Sequence, residues 1–198
     1  MRGTLITVEG IDGSGKSTLC TSLIAELGQD AVLLREPGGV VLAERIRELV
    51  KDPNLEVSAA AEALLFAAAR AQLVSERVKP LLDEGRIVLL DRFVDSSLAY
   101  QGAGRGLGIG PVSAINELAT GGLVPDRTLL LRVEPELAAR RMSEGDRLEN
   151  SGAAFFSGVA QAYDRLAAAD PERFRVLDGS LAPTEVLKSA LDAIEDLT

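Results

Sequence analysis

The sequence predicts a three-layer α/β fold, with a five-stranded parallel sheet between layers of helices, and three observations carry that prediction. The apolar runs TLITVE, AVLLRE, RIVLLD, RTLLLRV and FRVLD are near-continuously hydrophobic, as strands are when both faces of a sheet are covered. Helical stretches alternate with these runs, the order of βαβ units rather than of hairpins. The chain has 198 residues, 46% of them hydrophobic, enough for one substantial core and consistent with one domain over residues 1–198.

Taken in order, TLITVE leads into GIDGSGKST at residues 10–18 and a helix from Lys16 to Leu27. AVLLRE leads into PGG, which reads as a tight turn, and then a helix from Val41 to Lys51. The next helix, Ser58 to Glu84, is apolar on more than one face (AAAEALLFAAARAQLV). That exceeds what packing on a sheet requires, so a second copy of the chain is expected to cover it, making a homodimer, the alternative being a long Ala-rich helix buried within the monomer. RIVLLD opens into DRFVDSSLAYQ, a polar stretch that reads as a substrate-binding loop. A helix from Gly110 to Ala119, the run RTLLLRV and a helix from Pro135 to Ser143 follow. SEGDRLENSG, polar and Gly-bearing, reads as an exposed mobile loop at about 143–152. Helices at Ala154 to Ala169 and Pro183 to Leu197 flank the last strand run.

Composition excludes several classes of function. No run of about 18 apolar residues is present to span a bilayer, and Met1 leads straight into a strand rather than a signal peptide, so a cytoplasmic location is expected. With one cysteine, Cys20, and no histidine, zinc-type sites are excluded and any metal must be oxygen-bound. A net charge of -9 argues against nucleic-acid or membrane-surface partners. A small anionic ligand would need locally concentrated positive charge.

Gly10, Gly15, Lys16 and Ser17 match GxxxxGK[ST] between a strand and a helix. In that context the glycines let backbone N–H groups close on phosphate oxygens, Lys16 reaches the terminal phosphates and Ser17 offers a hydroxyl to Mg²⁺. Gly13, Ser14 and Thr18 belong to the same cradle. Asp91 and Arg92 end the third strand run, at the edge where open α/β sheets bind ligands. The acid suits a metal's water shell and the arginine a phosphate clamp, which favours transfer to a bound acceptor. Arg35 lies on the same edge, where REPGG fits a phosphate contact and a plain turn equally well. Phe66 and Arg70, four apart, share a helix face, suited to stacking on a base and donating to its carbonyl edge. Ser96, Ser97, Tyr100 and Gln101 lie in the polar stretch beside the cradle. Asp12 is unexpected in a loop that holds polyanions, and its side chain is expected to point out of the cradle towards the acceptor.

Together VEGIDGSGKST, REPGG, LLFAAAR, DRFVDSSLAYQGAGR, PDRTLLL and GDRLE resemble thymidylate kinases over nearly the whole chain. The P-loop is generic, but REPGG with DRxxxSxxAYQ is specific to that family. The resemblance implies a P-loop nucleoside monophosphate kinase fold and transfer of the γ-phosphoryl group of ATP to dTMP with Mg²⁺. Phe66 would then stack on thymine, Arg70 and Ser97 would bind its polar edge, Gln101 would belong to the dTMP site, and Arg35 and Arg92 would hold the acceptor phosphate. Tyr100 would crowd the sugar's 2′ position, Asp12 would accept from the 3′-hydroxyl, and Ser17 with Asp91 would face the metal. Some family members carry an arginine in the P-loop, where this chain has Gly13. Others supply it from the lid, and this sequence resembles those, with Arg147 as the lid arginine and Arg140 and Arg141 preceding it, Arg141 on the ATP side. Arg132 stands where the strand in relatives usually ends in an acid.

The acceptor in such a reaction is already an ionised phosphate, so alignment and charge stabilisation suffice and the lack of histidine is no obstacle. Lid closure would exclude water. Two rivals remain at this stage, a kinase for another nucleoside monophosphate and a nucleotide-binding regulatory module without turnover.

Overall fold

The computed structural model describes residues 2–141 and 152–197. Strands β1 (Leu5–Glu9), β2 (Ala31–Arg35), β3 (Ile87–Asp91), β4 (Arg127–Arg132) and β5 (Phe174–Asp178) form one sheet in the order β2-β3-β1-β4-β5, every neighbouring pair parallel. The helices are α1 (Lys16–Leu27), α2 (Val41–Lys51), α3 (Ala59–Leu73), α4 (Lys79–Asp83), α5 (Val94–Ser97), α6 (Ile109–Thr120), α7 (Pro135–Arg141), α8 (Ala153–Ala169) and α9 (Pro183–Asp192).

β1 is central and wholly buried, whereas the edge strand β2 exposes Leu33 and Arg35. Strand side chains alternate between faces. Leu5, Val88 and Leu90 pack with Ala43 and Ile46 of α2 and Leu73 of α3, while Ile6, Val8, Leu89 and Leu129 pack with Leu19 and Leu23 of α1 and Val186 of α9. Each fully buried Leu or Ile contributes about 1.5–3 kcal/mol, which holds the strand ends, and the loops leaving them, in fixed register. A third cluster joins Leu130 to Val159 and Tyr163 of α8 and reaches Ile11 and Tyr100.

Three elements differ from the sequence reading. The helix expected from Ser58 to Glu84 is interrupted at Val74–Val78 by a π-helical turn between α3 and α4. Pro80 lacks an N–H and its ring crowds the carbonyl of Glu76 four residues back, so the chain widens just before it. The helix expected to reach Leu197 stops at Asp192, and a 3₁₀ turn at Glu195–Leu197 tightens the end. DRFVDSSLAYQ is not a loop: α5 and a π-helical turn at Leu98–Gly104 carry it, with Asp95, Ser96, Ser97, Tyr100 and Gln101 buried. Among the described residues no helix is long and apolar enough to cross a membrane.

Candidate active site

The phosphate cradle follows β1. Gly10 has φ 143°, and a Cβ there would sit 2.6 Å from the Leu131 carbonyl oxygen, so the loop passes β4 only as glycine. Gly15, with φ 99°, turns the chain into α1, whose first residues are Lys16, Ser17 and Thr18. The positive end of the helix therefore faces the loop. Lys16 Nζ donates to the Ile11 carbonyl at 2.8 Å; burial, and after it the neighbouring Arg92, bring its pKa down to about 8. Ser17 Oγ donates to Asp91 Oδ2 at 3.1 Å, which brings together the two oxygen donors assigned to the metal side.

A cleft of about 390 Å³ continues from the cradle past the ends of β2 and β3. Lys16, Arg35, Arg47, Lys51, Arg70 and Arg92 line it against Asp12, Glu36 and Asp91, so it concentrates positive charge on an acidic protein. Arg92 adopts a left-handed backbone, φ 71°, rare for a residue with a side chain. Its Nη1 donates to the Gly10 carbonyl at 3.1 Å and Ser96 Oγ at 3.0 Å, its Nη2 meets Asp12 Oδ1 at 2.5 Å, and it lies 5.1 Å over the Tyr100 ring. The Asp12 carboxylate faces Arg92 and the Tyr100 hydroxyl, which donates to Oδ2 at 2.8 Å. Burial alone would raise the pKa of Asp12, but Arg92 and then Lys16 more than offset it and hold it at about 2.

Phe66 and Arg70 share one face of α3 and both line the cleft, with Ser97 and Gln101 beside them. Arg70 is 1% exposed, and its N–H groups are committed to Glu36, Ser97, Asn116 and the Phe93 carbonyl, which makes it a fixed floor. Arg35 lines the mouth of the cleft and pairs with Glu44 at 3.1 Å. Arg141 donates to the Gly179 carbonyl at 2.8 Å, which ties α7 to the end of β5, while Arg140 is exposed. Arg132 pairs with Asp164 at 3.2 Å. Arg147, with most of the expected lid, lies outside the described residues.

Sequence reasoning missed two groups. Arg47 and Lys51 line the cleft from one face of α2, and their four-residue spacing was the available signal. Glu9 is buried at the end of β1, where it accepts from the Phe93 and Ser96 backbone N–H groups, Ser96 Oγ and the Tyr163 hydroxyl. Burial and then Asp95 push its pKa up to about 7. Asp95 is itself held by Arg173 at 2.6 Å. An acid ending an otherwise apolar central strand was the only hint of this network.

A parallel sheet with a phosphate loop after its central strand, opening into a cationic cleft closed by an aromatic and arginine-bearing helix, defines a P-loop nucleoside monophosphate kinase. The family model described as thymidylate kinase matches residues 8–190, and the chain belongs to that family. Similar proteins include the thymidylate kinases of Thermoanaerobacter sp. (strain X514), 43% identical over 98% of each chain, and of Symbiobacterium thermophilum, 45% identical over 97% of this chain and 92% of that one. The crystal structure of thymidylate kinase from Ehrlichia chaffeensis superposes with a TM-score of 0.80 at 30% identity, covering 98% of this chain and 99% of the other.

Proposed function

We infer that this protein transfers the γ-phosphoryl group of ATP to dTMP, giving dTDP and ADP. The observation that carries this reading is Arg92, whose guanidinium lies against the cradle at the Gly10 carbonyl and Asp12 and also lines the cleft shared with Arg35, Phe66 and Arg70, which supports one cation serving both donor and acceptor phosphates. A regulatory nucleotide binder has no use for such a bridge. In this reading Gly10 to Thr18 hold the triphosphate, with Lys16 on the transferring group. Arg35 and Arg92 position the acceptor phosphate, and Phe66, Arg70, Ser97 and Gln101 receive the base. Arg147 supplies lid charge and Arg141 serves the ATP side.

Among the described residues no three Asp, Glu, His or Cys side chains converge, but Ser17 and Asp91 form a pair of hard oxygen donors, which fits Mg²⁺ held jointly with phosphates and water. Bound there, the cation would neutralise phosphate charge. The exposed Leu64 of α3 and Leu118 of α6, 56% and 87% accessible on neighbouring helices, support a homodimer through this face. Leu118→Lys is expected to yield monomers on sedimentation. The function itself is tested by ADP formation with and without dTMP: turnover should depend on the acceptor, and equal rates in its absence would refute the reading.

A further inference from the structure

Glu62, Phe66 and Arg70 stand four residues apart on α3 and so share one face. Phe66 and Arg70 line the cleft, whereas Glu62, one turn earlier, stands behind it and is 1% exposed. Arg105 Nε and Nη2 donate to Oε1 and Oε2 of Glu62 at 3.2 and 3.4 Å, and Gln101 Nε2 donates to Oε1 at 3.0 Å. A carboxylate facing an arginine accepts hydrogen bonds and donates none. Gln101, itself buried, must therefore turn its NH₂ group to Glu62, and since Gln101 also lines the cleft, the amide oxygen is the end that remains for it. The two ends of a side-chain amide have nearly the same shape and opposite hydrogen-bonding character, so what the group recognises depends on which way it is held.

We propose that Glu62 is a positioning residue that locks the Gln101 amide with its oxygen towards the base of the acceptor, so that the cleft takes pyrimidines with a ring N–H and rejects those with a ring acceptor in that place. This rests on the reading that Gln101 meets the base. Thymine and uracil carry an N3–H donor, while cytosine carries an unprotonated N3. Facing the amide oxygen, the first gains a hydrogen bond; the second sets lone pair against lone pair and leaves a buried acceptor unpaired, the kind of mismatch that discriminates strongly. The strip on α3 then divides its work: Phe66 gives a stacking surface, Arg70 a floor, and Glu62 the polarity of the group opposite.

The test compares kcat/KM for dTMP, dUMP and dCMP in the wild type, Glu62→Gln and Gln101→Ala. A glutamine at 62 keeps the volume but offers Gln101 either an oxygen or an NH₂ group, so the Gln101 amide is free to invert. The dTMP/dCMP ratio should fall about tenfold or more in Glu62→Gln, while the dTMP/dUMP ratio stays within about twofold, because both of those bases carry N3–H. If Glu62 only supports the fold, all three acceptors weaken together and both ratios hold, which overturns the proposal. If instead Gln101→Ala keeps the wild-type dTMP/dCMP ratio, Gln101 does not meet the base, and the proposal falls with that placement while the kinase reading stands.

Discussion

Tyr100 and Asp12 grip each other twice: the Tyr100 hydroxyl donates to Asp12 Oδ2 at 2.8 Å and accepts from the Asp12 backbone N–H at 3.1 Å. The ring of Tyr100 and its hydroxyl thus have separable tasks. Tyr100→Phe should keep the selectivity for deoxyribose, since the bulk remains, but lower kcat/KM for dTMP about ten- to hundredfold, because a hydrogen bond to a charged group contributes roughly 1.5–3 kcal/mol. Tyr100→Ala should in addition admit ribonucleotide acceptors. Selectivity that survives in the alanine variant would remove Tyr100 as the gate.

Asp12 has lone pairs to spare after serving Arg92 and Tyr100, since a carboxylate offers about four acceptor sites. Asp12→Ala should therefore weaken use of dTMP while leaving ATP binding nearly intact. Its penalty should be far smaller with the 3′-deoxy analogue of dTMP, which has no hydroxyl for it to read. Equal penalties with both acceptors, measured as kcat/KM, would show that Asp12 does not contact the 3′ position.

Glu9 sets a pH dependence on stability. Its folded pKa is raised from 4.5 to about 7, with burial and then Asp95 acting against the help of Ser96, Arg92 and Phe93. The folded state thus holds a proton that the unfolded state has released. The associated stability is full below pH 4.5 and is lost as pH rises through 7, by on the order of 2–3 kcal/mol. Glu9→Gln should flatten this slope, and the Ser96 and Tyr163 hydroxyls can rotate to accept from the new amide. Urea melts at pH 5 and pH 8 check it; parallel losses in both proteins would contradict the assignment.

Arg147→Ala should lower kcat by a large factor and move KM for dTMP little, as expected of charge that acts mainly in the transition state. Arg141→Ala should act chiefly on ATP, since Arg141 braces Gly179 at the end of β5. Steady-state kinetics with each substrate varied separate the two, and an unchanged kcat in the Arg147 variant transfers its role to Arg140 or Arg141.

Local chemistry was legible in the sequence and remote pairing was not. The bounds of α1 and α2 are as the sequence predicts, because glycine and proline punctuation and a 3.6-residue pattern are local signals. The cradle and the shared face of Phe66 and Arg70 were legible for the same reason. The partners of Glu9, by contrast, lie 87 and 154 residues away at Ser96 and Tyr163, and no spacing rule connects them. DRFVDSSLAYQ was misread as a loop because its polar side chains suggested solvent. They are buried because each finds a partner elsewhere in the fold: Asp95 in Arg173, Ser96 in Glu9 and Gln101 in Glu62.

The left-handed backbone at Arg92 persists because its guanidinium contributes more to the folded protein than the strain costs. For a residue with a Cβ that conformation costs on the order of 1–3 kcal/mol, and glycine would relieve it without disturbing the turn. Arg92→Gly would nonetheless leave the partly buried Asp12 carboxylate without its partner, which removes more stability than the relaxed backbone returns, and it would delete the contacts to Gly10 and Ser96 as well. Selection for heat resistance and selection for turnover therefore agree at this position, so variants recovered from heating alone should keep Arg92.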